Sequence, residues 1–311
     1  MDVDDAPELP RAERRVLAQV AHDVEQQFFH GEEVYTRWRL VSAITARACI
    51  PYNGCMDAKT AHLLNEATGD FYRRQAASFS ATRRSAWPGW ERLLAGPAGA
   101  VFDSPSALRV LDVGCGNLRF ERFLLECAPA ADWRFYGVDS CPLLVGDAPA
   151  PIEYHEADIV GALLDGGIER ELDVPACDLV GCFGFMHHVP GWDNRVRLLR
   201  VLAGCVAPGG FLALSFWQFL NSSELADRAA ASHARGLAAL APRGLAAGQL
   251  ERGDYLLGWQ ETQDVFRYCH AFDAAEIDAL AAEAGLSARI VDRFEADGRT
   301  GDLNGYLVIG G

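Results

Sequence analysis

Short apolar runs separated by polar, glycine-rich breaks divide the chain into strands and amphipathic helices. Residues 108–113, Leu-Arg-Val-Leu-Asp-Val, are interrupted only by Arg109 and Asp112, and they predict a buried strand. Gly114 and Gly116 follow. Glycine tolerates the positive φ of a sharp turn and leaves no Cβ between backbone and ligand. From Leu118 to Leu125, Phe120, Phe123 and Leu124 recur at helical spacing. Strand, glycine turn and helix in that order make a nucleotide-type cradle at the carboxyl end of a sheet strand. Further strands are predicted at 134–138, ending in Asp139, at 152–155 with Asp158 beyond, at 177–183, and at 211–216 after Pro208-Gly209-Gly210. A helix fills 195–203, and the alternation predicts an α/β sheet. Asp273 caps a helix to Ala284, with Glu276 completing a capping box and Gly285 ending it. Residues 289–294 and 306–309 predict a closing antiparallel hairpin, joined by the polar stretch 298–305.

Upstream of the cradle the period is helical. Val16, Leu17, Val20, Ala21, Val24 and Phe28 recur at three and four, predicting a helix over 12–29. A second is expected over 33–49, a turn at Pro51-Tyr52-Asn53-Gly54, and a third helix over 57–68. Residues 95–107 read as a linker, 163–172 as an acidic surface connection, and 226–241 as an alanine-rich helix.

Composition narrows the class. Half of the 311 residues are apolar, which supports a core and excludes global disorder. No run of apolar residues is long enough to predict a membrane span, and the acidic N-terminus has no apolar signal core. Nine cysteines without a CxxC pair predict free thiols in a reducing compartment, by default the cytoplasm. The net charge of −15 makes the chain a poor non-specific partner for nucleic acid. Lys59 is the single lysine, so arginine carries nearly all the positive charge. One window departs from the acidity. Between 69 and 92, Arg73, Arg74, Arg83, Arg84 and Arg92 interleave with Phe71, Tyr72, Phe79, Trp87 and Trp90. Such forks and rings grip carboxylates, phosphates and bases, or else pack a helix and answer local acids.

Val-Leu-Asp-Val-Gly-Cys-Gly-Asn at 110–117 resembles motif I of the class I S-adenosylmethionine-dependent methyltransferases, and Gly137-Val138-Asp139, Asp158 and Pro208-Gly209-Gly210 resemble the later family motifs. The dinucleotide fingerprint wants a third glycine, which Asn117-Leu118-Arg119 does not supply. Phe79-Ser80-Ala81-Thr82-Arg83-Arg84-Ser85-Ala86-Trp87-Pro88 and Arg267-Tyr268-Cys269-His270-Ala271-Phe272 are similar to segments of the methyltransferases that modify the carboxymethyl group of tRNA wobble uridine. The resemblance implies a Rossmann-like class I methyltransferase fold, a seven-stranded mixed sheet over residues 69–311, preceded by an N-terminal helical extension over 1–68.

It also implies roles. Asp112, Gly114, Cys115, Gly116 and Asn117 would pass the methionine part of the donor. Asp139 and Ser140 would meet the ribose, Asp158 and Ile159 the adenine, and Phe183 the sulfonium region. His187 and His188 would face the transferred methyl as bases or binders; Arg83, Arg84, Trp87, Arg267 and His270 would meet the acceptor. No metal is expected, because neighbouring histidines on a strand or helix point apart. The favoured reaction is methyl transfer from S-adenosylmethionine, leaving S-adenosylhomocysteine, to a carboxymethyl-type uridine of tRNA. A small-molecule carboxylate or hydroxyl, a non-catalytic cofactor-binding scaffold and a dinucleotide oxidoreductase stand as alternatives. A protein partner is not identifiable, and the oligomeric state is left open.

Overall fold

The structure, a computed structural model, describes residues 56–83, 85–103, 107–145, 151–260 and 264–311. The helices expected at 12–29 and 33–49, the turn at 51–54, Cys49, Cys55 and Arg84 lie outside the described residues. Helix α1 (Ala58–Ala81) is capped by Asp57, whose carboxylate accepts the Thr60 N–H at 2.9 Å. It runs well past the expected 57–68, because Phe71 and Ala76 prolong the buried stripe begun by Ala61 and Leu64. Position 68 therefore lies inside an unbroken helix. Helix α2 (Pro88–Ala95) starts on a proline, whose missing N–H would be unpaired there anyway. The expected linker that follows contains a 3₁₀ turn, Pro97–Asp103, which buries Ala98 and Val101.

The sheet then builds in alternation. Its first elements are β1 (Leu108–Val113), α3 (Arg119–Cys127), β2 (Trp133–Asp139), α4 (Pro142–Val145) and β3 (Ile152–Glu156). Helices α5 (Ile159–Leu164) and α6 (Ile168–Glu171), β4 (Cys177–Cys182), α7 (Trp192–Gly204) and β5 (Val206–Trp217) follow. After α8 (Ser223–Leu240) come β6 (Asp254–Leu257), β7 (Arg267–His270), α9 (Ala274–Glu283), β8 (Ile290–Ala296) and β9 (Asn304–Gly310). The seven-stranded sheet has the order β3-β2-β1-β4-β5-β9-β8, parallel through β5 and antiparallel at β9 and β8. This is the expected mixed sheet. The order reverses between β1 and β4, so the crevice beyond their carboxyl ends is where ligands bind such sheets.

Alternate residues of the central strands feed two cores. Leu111, Val113, Val180 and Leu212 pack with α7 and α9 on one face; Val110, Leu179, Ala213 and Tyr306 pack with α2 and α3 on the other. The stretch expected as a surface connection folds as α5 and α6 and buries Leu163, Ile168 and Leu172, because its acids alternate with inward-facing aliphatic residues. Pro208-Gly209-Gly210 does not precede the fifth strand but bulges within it. The pairing jumps from Cys177↔Val206 to Leu179↔Phe211, and Gly209 takes φ +81°. Among the described residues no helix is long and apolar enough to cross a membrane.

Strands β6 and β7 form a separate two-stranded sheet that the sequence pattern did not predict. A buried ionic network anchors it. Asp254 Oδ1 accepts from the Tyr268 hydroxyl and from His270 Nδ1, both at 2.7 Å. His270 Nε2 donates to Glu276 at 2.9 Å. Glu276 thus reaches back to β7, and the expected capping box is only half formed: Asp273 accepts the Glu276 N–H at 2.8 Å. Arg195 of α7, 1% exposed, pairs with Glu251 at 2.7 Å and Glu276 at 3.6 Å. With carboxylates on both ring nitrogens, His270 must carry two protons. Burial alone would push its pKa down, but Asp254 and Glu276 hold it above the ordinary value. The stability this gives is complete below the unfolded histidine pKa of about 6.5 and is lost as pH rises through the raised folded value. Replacing His270→Gln should cost about 3 kcal/mol at pH 6. In thermal melts from pH 6 to pH 9, the gap in Tm between wild type and H270Q should narrow as pH rises.

Candidate active site

The glycine turn is held open by its backbone. Gly114 has φ +77° and Gly116 φ +54°, and Leu118 takes the left-handed region at +58° to start α3. The Gly114 and Cys115 N–H groups donate to the Val138 carbonyl at 2.8 and 3.1 Å, which binds the turn to the end of β2. A β-carbon at 114 would lie 2.6 Å from the Phe185 ring, so only glycine lets that ring close over the turn. At the tip of β2, Asp139 accepts the Gly116 N–H at 2.9 Å and the Cys141 N–H at 2.8 Å. Burial raises its pKa, and the backbone donors of Cys141, Gly116 and Ser140 pull against that rise. The carboxylate is therefore already aimed beyond the turn, with further lone pairs for a vicinal diol.

One cavity of about 880 Å³ opens past these strand ends and carries both halves of a site. Asp112, Gly114, Cys115, Gly116, Asn117, Asp139, Ser140, Asp158, Ile159 and Phe183 all line it, as do Arg83, Trp87, Arg267 and both histidines. Asp158 caps α5, accepting the Gly161 N–H at 2.9 Å, and accepts from Asn65 Nδ2 of α1 at 2.7 Å. Asn117 turns toward the preceding loop rather than into the cradle. Its Nδ2 donates to the Ser80 hydroxyl at 3.1 Å and the Arg83 carbonyl at 2.8 Å. It fixes the loop that carries Arg83 and Ser85.

The opposite wall is aromatic and positive. Arg267 is 4% exposed and lies over the rings of Phe71 at 4.7 Å and Phe79 at 5.3 Å. Its Nε and Nη1 reach no hydrogen-bond acceptor. Arg83 stacks on Phe79 at 3.4 Å, with Trp259 on its other side at 5.1 Å. Burial and the charge of Arg267 pull the Arg83 pKa down to about 10. Trp87 stacks on Trp90 at 5.2 Å beneath Arg119.

The two histidines do different things. His188 Nδ1 lies 2.7 Å from the Tyr268 carbonyl, which can only accept, so the proton is on Nδ1. Nε2 then accepts the Tyr72 hydroxyl at 2.8 Å. Both nitrogens of His188 are engaged, and burial takes its pKa to about 3. His187 leaves Nδ1 without a partner, and burial beside His188 pushes its pKa well below the ordinary value. It is a neutral imidazole with a free ring nitrogen.

Two expectations are corrected. His270 does not line the cavity; the alternation of β7 turns Tyr268 and His270 to the ionic network while Arg267 faces the site. The histidines were also expected to diverge, but the 3₁₀ turn Met186–His188 brings their rings to 4.1 Å. With Cys269 they place three possible ligand atoms within 4.8 Å of one another. Hydrogen bonds already occupy both His188 nitrogens, and the charge of Arg267 bears on both rings, so these donors suit a hydrogen-bond network better than a cation. Asn65, Tyr72, Arg119 and Trp217 line the cavity too and were missed. Tyr72 lies in the aromatic island already singled out; the others carry no local signal.

Residues 72–289 match the model of a family described as a methyltransferase domain, and the chain belongs to that family. It is an S-adenosylmethionine-dependent enzyme with a class I, Rossmann-like fold. No curated protein matches the sequence. Among solved structures, the chain is similar to a SAM-dependent methyltransferase of Methanosarcina mazei, at 17% identity and a TM-score of 0.46, over 73% of this chain and 98% of that one. It is also similar to the CcbJ methyltransferase of Streptomyces caelestis, at 16% identity and 0.46, over 78% and 96%. The third is CalS10, an amino pentose methyltransferase of Micromonospora echinaspora, at 17% identity and 0.40, over 79% and 93%.

The residues present fit the donor: two positive-φ glycines, a pre-aimed carboxylate at Asp139 and a second at Asp112. Asp139→Ala should weaken S-adenosylhomocysteine binding roughly 100-fold, the loss of about two charge-assisted hydrogen bonds. Gly114→Ala should abolish binding in a folded protein, since its β-carbon collides with Phe185. Titration calorimetry on the three proteins reads both outcomes.

Proposed function

We propose that the enzyme transfers a methyl group to a small molecule bearing a carboxylate. One observation carries this reading: the buried Arg267 guanidinium has two nitrogens without acceptors, and among the described residues no carboxylate pairs with it. An uncompensated buried cation is costly. Here a second cation, Arg83, stands within electrostatic range and raises that cost. An anion entering the cavity relieves both. Its flanking surface would be planar, since Phe79, Trp217 and Trp87 supply ring faces to the cavity.

When bound, S-adenosylmethionine supplies an electrophilic methyl on its sulfonium. The chain's part is to place donor and acceptor in line and keep water out. Gly114, Gly116 and Asp139 fix the donor end; Arg267 and Arg83 fix the acceptor end; Phe183 and Phe185 close the space between. A carboxylate acceptor is already a nucleophile and needs no base. His187 lines the cavity as a neutral imidazole, but its unpartnered Nδ1 is buried and burial holds its pKa well below the ordinary value, so it suits a wall of the acceptor site rather than a base. Tyr72, held by His188, then serves as a fixed wall and hydrogen-bonding group rather than as a base.

The second reading is a carboxymethyl uridine of tRNA, favoured by the segments at 79–88 and 267–272. The same arginines would hold its carboxylate. The basic island weighs against a strand-sized ligand. Arg73 is paired with Asp70 at 2.6 Å and Arg74 with Asp264 at 3.5 Å. Arg92 stacks on Phe294 at 4.6 Å, and Arg83 faces inward. The boundary expected at 68/69 falls inside α1, and because that helix lends Asn65 and Tyr72 to the site we take α1 as part of the methyltransferase domain. The free thiols of the described cysteines suit the reducing cytoplasm.

The test is a methyl-transfer assay with isotopically labelled donor, offering bulk unmodified and modified tRNA in one arm and a panel of aromatic and aliphatic acids in the other. Label should enter the acids. Arg267→Gln should raise KM for them at least tenfold, about 1.4 kcal/mol or more, with S-adenosylhomocysteine affinity unchanged. Label in tRNA alone selects the second reading; binding of donor without transfer to either class sinks both.

A further inference from the structure

Helix α3 buries a residue that its amphipathic pattern does not explain. Glu121 has 0% exposure in the first turn, between Phe120 and Phe123, while its charged neighbours Arg122 and Glu126 remain accessible. Neither Glu121 oxygen has a hydrogen-bond donor in normal geometry. The carboxyl group it meets is that of Asp112, 4% exposed, in the middle of the sheet. Two acids facing each other in a sheet interior is an arrangement that sequences avoid, because two buried carboxylates repel and neither is solvated.

The sheet has made room for the pair. Asp112 stands opposite Gly137 of β2 on one side and Gly181 of β4 on the other. A β-carbon at 137 would lie 3.4 Å from Glu121 Oε1 and 3.2 Å from Cys115 Sγ. One at 181 would lie 3.3 Å from Asp112 Oδ1 and 2.9 Å from the Phe183 ring. Glycine on both flanking strands is costly in a sheet, and here it clears the volume that the two carboxyls fill.

We propose that Glu121 is a positioning residue for the methyl donor: it shares one proton with Asp112 in the free enzyme, and the pair releases that proton when the donor's ammonium group docks against Asp112. A single shared proton gives each carboxyl a hydrogen bond and leaves one net charge in place of two. Asp112 lines the cavity and Glu121 stands behind it, so a cation arriving from the cavity meets Asp112 first. The ammonium replaces the proton as the compensating charge, and the proton leaves through the cavity to water. No bond to carbon is made or broken in this exchange.

The charged groups around the pair set its sign. From α3, Arg119 pulls Asp112 toward ionisation and Arg122 does the same for Glu121. From the tip of β2, Asp139 pushes both the other way. Cys115 on the turn faces the pair as a neutral thiol, its pKa pushed well above the ordinary one by burial, by Asp139 and by the two acids; Cys182, on the opposite face of β4, is held neutral by burial and by the charge of Asp112. Arg119 is also committed elsewhere, to Asn117 at 3.2 Å and the Ser85 carbonyl at 3.1 Å. Burial outweighs the arginines: Asp112 lies well above the carboxylate range and Glu121 at about 7. A docked ammonium lowers the pair's pKa, so donor affinity rises with pH through the region where the free pair titrates and levels off above it.

The experiment is titration calorimetry of the full chain with S-adenosylhomocysteine at pH 7, in two buffers of different ionisation heat, on wild type and Glu121→Gln. The glutamine keeps the shape and donates an N–H to Asp112 but has no proton to lose. Wild type should release protons on binding, and its affinity should rise about tenfold from pH 6 to pH 8. E121Q should release fewer protons and show a shallower pH profile, because the repulsion from Glu121 is gone while the burial of Asp112 remains. Difference infrared spectra of unmutated protein provide a readout that no folding defect disturbs: a protonated-carboxyl band should fall when S-adenosylhomocysteine is added. Equal proton release in both proteins, no release in wild type, or an unchanged carboxyl band overturns the proposal.

Discussion

The hydrogen bond of 2.9 Å from the Gly116 N–H to Asp139 joins the ends of two adjacent parallel strands, and the donor half of the site hangs from it. It requires β1 and β2 to end level, which their register secures by pairing Val113 with Val138. It requires a turn whose N–H groups point outward, which two positive-φ glycines supply. It also requires the carboxylate to stay put, and a second N–H from Cys141 sees to that. The order reversal beside β1 then leaves open space directly beyond these groups. A binding crevice follows from strand order, and the groups it offers a ligand follow from which atoms line it.

The cavity wall that carries Arg267 rests on a different principle. Its floor is strand β7, four residues long, whose side chains divide between two jobs. Tyr268 and His270 tie into the ionic network of Arg195, Glu251, Asp254 and Glu276, and Arg267 is presented to the cavity. A short strand away from the main sheet has little backbone pairing to hold it. The network substitutes charge-assisted bonds for that missing support. Rigidity bought in this way is what lets a guanidinium remain buried without a carboxylate partner.

Much of this was legible in the chain, and the reasons for the exceptions are physical. The cradle, Asp139 and the alternation of strands and helices follow from local pattern, because the turn chemistry and the strand period are short-range, whereas the seven-stranded mixed sheet came from the family resemblance. The β6–β7 sheet escaped because residues 254–257 and 267–270 are too short for periodicity to register and pair across a gap in sequence. His270 was assigned to the cavity from a neighbouring motif, but a period of two along a strand sends it the opposite way from Arg267. Asn65 and Arg119 were missed because their roles depend on where α1 and Trp87 lie in space, which no window of sequence records. The pairing of Glu121 with Asp112 was invisible for the same reason: Glu121 reads as an ordinary surface residue until α3 is laid against the sheet.

Helix α1 runs along the site, and two of its residues mark the ends of one stretch. Asn65 touches Asp158 where the far end of the donor would lie, and Tyr72 touches His188 on the acceptor side. Seven residues separate them, two turns of helix on nearly the same face, or about 10.5 Å along the axis. The helix is thus a ruler laid along the cavity, its graduations set by the α-helical pitch. Changes in the length of the chain before Asn65 leave the interval intact. A single residue inserted between the two marks would swing one of them through about a quarter turn, so the length of this segment is fixed by geometry even where its sequence is free to drift.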